Sequence, residues 1–420
     1  MTRRIRKYGL WGLAMAVFLL WTIPAGATIF VQCPGDVDGD LVPDATIPLG
    51  YPDEGQPNPD YDPNVVCMHI TGGDGFTTMA DGYDQYMFSF GLVGPTDPPT
   101  AVPNNRVVPD YSLKAMLPAP LIELEQDQEL YLTMTNVGMV MRPDLFDPHS
   151  VHYHGFPNAA PIFDGLPEPS PTANMGASFT YYYKAAVAGT YFYHCHVEAA
   201  EHMQMGMIGN AWIHPRQNGT PYTIQDGTGR EFTQFAYNDG DGSTGYDVDY
   251  PLQLTGFDSN FHDASINVQP LPFADMYDNY PLINGRGYPD TVKQVDIVNQ
   301  EGFAAQTVDS LIEAAQGERI LLRVSNVSTT HQYTIATTMG VPLEVVGRGA
   351  AQLEGPTGLD TSMTLNVLNV GGGQMYDVIL DTVDVAPGTY FLYTTDLANL
   401  SNGPEDRGGI MTEIVISAAP

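Results

Sequence analysis

Two short runs carry most of the histidines in this 420-residue chain. The first is His149-Ser-Val-His152-Tyr-His154-Gly155, and the second is His194-Cys195-His196, followed by His202, Met203, Met205 and Met207. Six of the ten histidines fall between positions 149 and 202, too concentrated for scattered core or surface residues. The second run follows Gly189-Thr-Tyr-Phe-Tyr193, an aromatic and β-branched segment of strand type. Side chains on a strand alternate between faces. His194 and His196 therefore point one way and Cys195 the other, while His152 and His154 share a face that His149 does not. Parity sorts the residues into His149 with Cys195, and His152 with His154, His194 and His196.

The first group gains His202 and a methionine from the Met203/Met205/Met207 cluster. Two imidazoles, one thiolate and a weak thioether are the donors of a blue-copper site. The second group is an array of four imidazoles, which suits copper, zinc or iron. Zinc alone would not call for the methionine-rich segment. Because Cys195 lies between two histidines of the array, the two groups share the shortest covalent route for an electron.

This pattern resembles the multicopper oxidases, the family of laccases and two-domain blue-copper oxidases. The likeness extends through Phe163-Asp164-Gly165-Leu166-Pro167, similar to the Asp-Gly segment that follows the family's first His-x-His-Gly. The resemblance implies a type 1 copper on His149, Cys195, His202 and Met207. It places His152 on a type 2 copper and His154, His194 and His196 on a type 3 pair. Asp164 becomes the acid that supports proton delivery. Six residues separate Cys195 from His202, more than in laccase-type motifs and fewer than in copper nitrite reductases. That spacing leaves Met205 open beside Met207 as the axial ligand. The four residues between His202 and Met207 match the family and favour Met207.

The elements that must position these residues read as β throughout. Aromatics, glycine and proline are plentiful, and long helical periodicity is absent. Leu121 to Asn136 alternates apolar and polar residues as a half-buried sandwich strand does. The Tyr181–Tyr183 run reads as sheet packing, and Ala211-Trp-Ile-His-Pro215 closes a first domain over 81–217. A second domain is expected over 225–420. Its Gly388-Thr-Tyr-Phe-Leu-Tyr393 echoes Gly189-Thr-Tyr-Phe-Tyr193, but Thr394-Thr395 stands where the first domain has His-Cys-His. The expected fold is two cupredoxin-like Greek-key β-sandwich domains, only the first with a copper motif. A trinuclear cluster of this family takes histidines equally from two cupredoxin domains, and this chain supplies half. The expectation is a homo-oligomer in which two first domains face each other, the isologous contact being the commonest kind.

Residues 1–27 read as a secretion signal: Arg3, Arg4, Arg6 and Lys7 precede an apolar core, and Ala25-Gly-Ala27 offers a cleavage site. The protein is expected to be secreted or periplasmic. The net charge of −33 argues against nucleic-acid binding and against adhesion to anionic membranes. Residues 28–80 form an acidic extension. In it Cys33 and Cys67 could pair as a disulfide in an oxidising compartment, or stand as free thiols. Asp36, Asp38, Asp40 and Asp44 alternate around a glycine like a calcium loop, without the distal glutamate of an EF-hand, and could equally be a solvated loop.

The function expected is an exported copper oxidoreductase. It takes electrons from a phenolic or metal-ion donor and passes them to a histidine-rich copper cluster that reduces dioxygen to water. The alternatives are a type 1 copper electron-transfer or copper-handling protein, and a nitrite-reductase-like enzyme.

Overall fold

A computed structural model describes residues 31–94, 104–157, 159–224, 228–354, 357–403 and 406–419. The secretion signal read at 1–27 and the domain boundary near Gln225 lie outside these residues. Eight strands build the first unit: β1 (Val65–Thr78), β2 (Asp84–Leu92), β3 (Ala119–Glu125), β4 (Glu129–Gly138), β5 (His152–His154), β6 (Ser178–Lys184), β7 (Gly189–His194) and β8 (Ile208–His214). They form two four-stranded sheets of order β2-β1-β4-β6 and β3-β8-β7-β5. Sandwich strands bury alternate residues. On β7 and β5 this sends Tyr193 and Tyr153 into the core, their rings 6.0 Å apart, while His194 and His152 take the other face.

Two features differ from the sequence reading. The segment 28–80 is not wholly an extension, because β1 pairs parallel with β4 and antiparallel with β2 in the first unit's sheet. Strands thus begin at Val65 rather than near Tyr86. Its glycine-rich centre, Gly72-Gly-Asp-Gly75, hid it from a β-propensity reading. The stretch Leu121–Asn136 is two strands, not one. Asp127 adopts φ 80°, and its N–H donates to Ala185 O at 2.7 Å, so the chain turns between β3 and β4 into different sheets.

The second unit is also a pair of sheets. Val248–Phe257, Tyr280–Ile283, Arg319–Asn326, Leu343–Arg348 and Met375–Asp381 belong to one. Ile312–Ala315, Tyr333–Thr337, Leu368–Val370, Gly388–Thr394 and Met411–Ser417 form the other. Each unit has its own buried core. A third apolar cluster joins them, with Phe192 and Ile208 packed among Phe257, Leu282 and Met375. Polar groups complete this interface: Thr190 Oγ1 donates to Asp377 Oδ1 at 2.6 Å, and the Arg323 guanidinium lies 4.9 Å from the Trp212 ring. Both units are cupredoxin-like, as expected. Among the described residues no helix is long and apolar enough to cross a membrane.

Candidate metal centre

β5 and β7 pair in a register that sets His152 opposite His194, Tyr153 opposite Tyr193 and His154 opposite Phe192. The main chain leaves the strand after His194, and Cys195 turns into the unit's interior, where it is fully buried. His149 precedes β5, and its backbone is held by mutual hydrogen bonds with Ala173 at 3.0 and 2.9 Å. His202 comes from a single helical turn, Ala199–Gln204, which takes up the longer spacing after Cys195. The three side chains meet, with Cys195 Sγ 3.2 Å from His202 Nδ1 and 4.0 Å from His149 Nδ1.

Electrostatics within this trio pair a thiolate with a charged imidazole. Burial pushes the Cys195 thiol up, but His202 and His149 outweigh it and hold the thiol well below its usual range. Burial lowers His202, yet the Cys195 thiolate and Asp147 push it up to about 10. A thiolate facing two imidazole nitrogens in a dry pocket is the donor set that copper prefers. Met205 and Met207 are both fully buried in the same core. Cys195 N–H donates to Met207 O at 3.2 Å, which puts Met207 across from the cysteine, while Met205 O accepts from Phe88 N–H at 2.9 Å.

On the other face, His152, His154 and His194 place ligand nitrogens within 4.8 Å of one another. His196 stands beside them, its ring centroid 5.1 Å from that of His152 and 5.6 Å from that of His194, and its N–H donates to Ser150 Oγ. Backbone carbonyls fix two of the rings. His152 Nδ1 lies 2.6 Å from Asp164 O and His194 Nδ1 2.9 Å from Cys195 O. A carbonyl only accepts, so each Nδ1 carries the proton and each Nε2 is free to bind metal. Burial pushes His194 down to about 3 and lowers His152 and His154, keeping the rings in the neutral form that ligates.

Asp164 holds His152 through its main chain, with its carboxylate Oδ1 3.6 Å from the same nitrogen. Gly165 makes this approach feasible. At φ 75° a Cβ there would stand 2.1 Å from Val151 O, so the Asp-Gly turn can press against the histidine strand only without a side chain. Asp36, Asp38 and Asp40 bring carboxylate oxygens within 4.8 Å of one another, whereas Asp44 is used differently, accepting from Val37 N–H at 2.8 Å. Cys33 and Cys67 form a disulfide.

Several residues around the centre were missed from sequence. Asp147 Oδ2 lies 3.9 Å from the fully buried His202 Nε2, and His202 lowers its carboxyl pKa. Its place two residues before His149 was the only available sign. Tyr181, read as packing, is buried and also accepts Val151 N–H on its hydroxyl at 3.0 Å, steadying the first run. The second unit meets the array with glycine, since a Cβ on Gly373 would stand 3.5 Å from His154 Nε2.

Comparison with known proteins settles the ancestry. Two family models, each described as multicopper oxidase, match residues 103–218 and 271–415. The chain belongs to the multicopper oxidase family. This family member is 27% identical over 197 residues to Laccase-1 of Emericella nidulans, covering 45% of the chain and 29% of that protein. It is 23% identical over 304 residues to Laccase-2 of Cryptococcus neoformans var. grubii, covering 69% of the chain and 43% of that laccase. The chain thus spans less than half the length of these curated relatives. Among solved structures, the blue copper oxidase from Nitrosomonas europaea superposes with a TM-score of 0.59 at 23% identity, covering 83% of this chain and 85% of that one. A copper nitrite reductase from the same organism gives a TM-score of 0.54 at 13% identity, over 84% and 94% of the two chains. These superpositions speak to the fold alone.

Proposed function

We propose that the chain is an exported copper oxidoreductase that oxidises a phenolic compound or a low-valent metal ion at the expense of dioxygen. The observation that carries this reading is the back-to-back arrangement at the end of β7. His149, Cys195 and His202 converge on one face, and His152, His154 and His194, with His196 beside them, on the other. Copper bound to the two sets would supply one-electron acceptance from the donor and delivery of electrons to dioxygen.

The chain's own residues do the rest. His149 Nδ1, Cys195 Sγ and His202 Nδ1 would hold copper in the first site, with the thioether of buried Met207 as a further ligand. Burial of all four keeps water from the sulfur. The peptide between Cys195 and His194 joins the two sets. Asp164 sets the tautomer of His152 through its carbonyl, and its half-buried carboxyl group holds and releases a proton at Oδ1 toward the array. Asp147, beside His202 Nε2 and partly exposed, marks the side from which a donor approaches. A calcium ion held by Asp36, Asp38 and Asp40 would brace the loop that the Cys33–Cys67 disulfide closes.

An electron carrier is the second reading, and the glycine loop favours it, because Gly373 stands where a second histidine set could have met His154. Dioxygen uptake separates the two. The copper-loaded protein should consume dioxygen with a phenol or cuprous ion as donor, and Cys195→Ser should not. A blue protein that is reduced by the donor without consuming dioxygen would support the carrier.

A further inference from the structure

The second unit, which carries no copper motif, grips the copper-ligand loop of the first. His262 sits on the helix Ser259–Ile266 with no exposed surface, its ring 4.4 Å from that of Phe257. Its Nδ1 lies 2.5 Å from Tyr86 O on β2, and its Nε2 lies 2.9 Å from Gln204 O, between His202 and Met207. Both partners are carbonyls, which only accept, so the neutral ring donates from one nitrogen at a time while its other nitrogen packs against the second carbonyl, and the imidazole bridges the two segments. Burial lowers the His262 pKa below its ordinary value and keeps the ring neutral, although the two carbonyls, Asp258 and Asp278 act in the other direction.

Gln204 is held at its side chain as well. Asp258 N–H donates to its Oε1 at 3.1 Å, and its Nε2 donates to Asp278 Oδ1 at 2.8 Å. Asp258 and Asp278 are themselves buried, and Ser328 Oγ donates to Asp278 Oδ2 at 2.8 Å, which holds that carboxylate in place. Gly206 completes the fit. At φ 112° a Cβ there would come within 2.9 Å of Phe88 O and 3.1 Å of the Phe257 ring, so the loop lies directly on the second unit.

We propose that His262 is a positioning residue for the copper site, holding the backbone between His202 and Met207 through Gln204 from the copper-free unit. The inference rests on the reading that His149, Cys195 and His202 bind copper. Outer groups that orient a metal's ligands affect affinity as well as spectrum.

The test follows the blue absorbance of copper-loaded protein as a copper chelator removes the metal. His262→Phe keeps the ring packing and removes the polar bridge, and His262→Gln restores a donor at one end. Gln204→Met breaks the grip from the loop side. His262→Phe should lose copper about tenfold faster than wild type, with a displaced blue band, and His262→Gln should fall between. Gln204→Met should move both readouts in the same direction. If His262→Phe and Gln204→Met lower only the thermal stability of the copper-free protein and leave band and release rate at wild-type values, the inference is overturned. If His262→Phe does not fold, Gln204→Met decides by the same criterion. Wild-type protein without a blue band would overturn the copper reading and the inference together. A blue wild type with indistinguishable variants would overturn the inference alone.

Discussion

Asp164 reaches His152 by two atoms that mutation can separate. Its carbonyl fixes the imidazole, and its carboxylate lies 3.6 Å from the same ring, the group proposed above to move a proton. Asp164→Asn keeps the main-chain bond and removes the acid. The blue band should survive unchanged while dioxygen turnover falls about 10²-fold, the usual size of a lost general acid. Steady-state dioxygen uptake checks this, and turnover at the wild-type rate would remove Asp164 from the mechanism. A second residue-scale effect concerns stability. Burial on β1, against Thr135 Oγ1 at 2.8 Å, pushes His69 down to about 4. An imidazole depressed on folding contributes stability that is complete above its unfolded pKa of 6.5 and is lost as pH falls toward the folded value. His69→Gln should therefore lose about 3 kcal/mol less than wild type between pH 6.5 and pH 4, read by denaturant titration at each pH. Period-two alternation made the sorting of the histidines legible, because it depends only on neighbours in sequence. Asp147, Gln204 and His262 were not legible as a group. Their roles arise where segments far apart in the chain meet, and each is an ordinary polar residue in its own stretch.

At the scale of elements, the helix Ala199–Gln204 explains the odd spacing of the second run: after Cys195 the chain coils into the turn that carries His202 and still enters β8 at Ile208. The sequence showed the length of this insertion but not its shape, since six residues without Gly or Pro could equally extend or coil. The strand β1 was hidden for the opposite reason. Its glycines carry little propensity, and it is held in place by pairing on both edges. The disulfide ties the start of the described chain to β1 across a sequence separation of 34. Chain-entropy arguments give such a loop about 4 kcal/mol. Cys33→Ser should lower the unfolding free energy by about that amount while leaving the blue band in place, as measured by denaturant titration followed optically. An unchanged unfolding midpoint would show that the segment 31–64 adds no constraint to the sandwich.

The whole molecule is two cupredoxin-like units, of which only the first carries the copper motif. The second unit has the fold without the ligands: Thr394 ends the strand equivalent to β7, and Gly373 meets His154. Its buried contacts, Thr190 with Asp377 and Arg323 over Trp212, make it a rigid support for β7 and β8. If the histidine array is to work on dioxygen, its other half must come from another molecule. We expect the active form to be a dimer joined through first units, and light scattering of the copper-loaded protein tests it. A monomer with full oxidase turnover would contradict that arrangement. The proposed function requires copper on both faces at the end of β7, one set formed by His149, Cys195 and His202 and the other by the histidine array. Copper content per chain, measured together with the optical spectrum, tests it most directly. The protein should show a strong blue band and hold more than one copper per chain. A protein without the blue band, or a blue one holding a single copper per chain, would contradict that requirement.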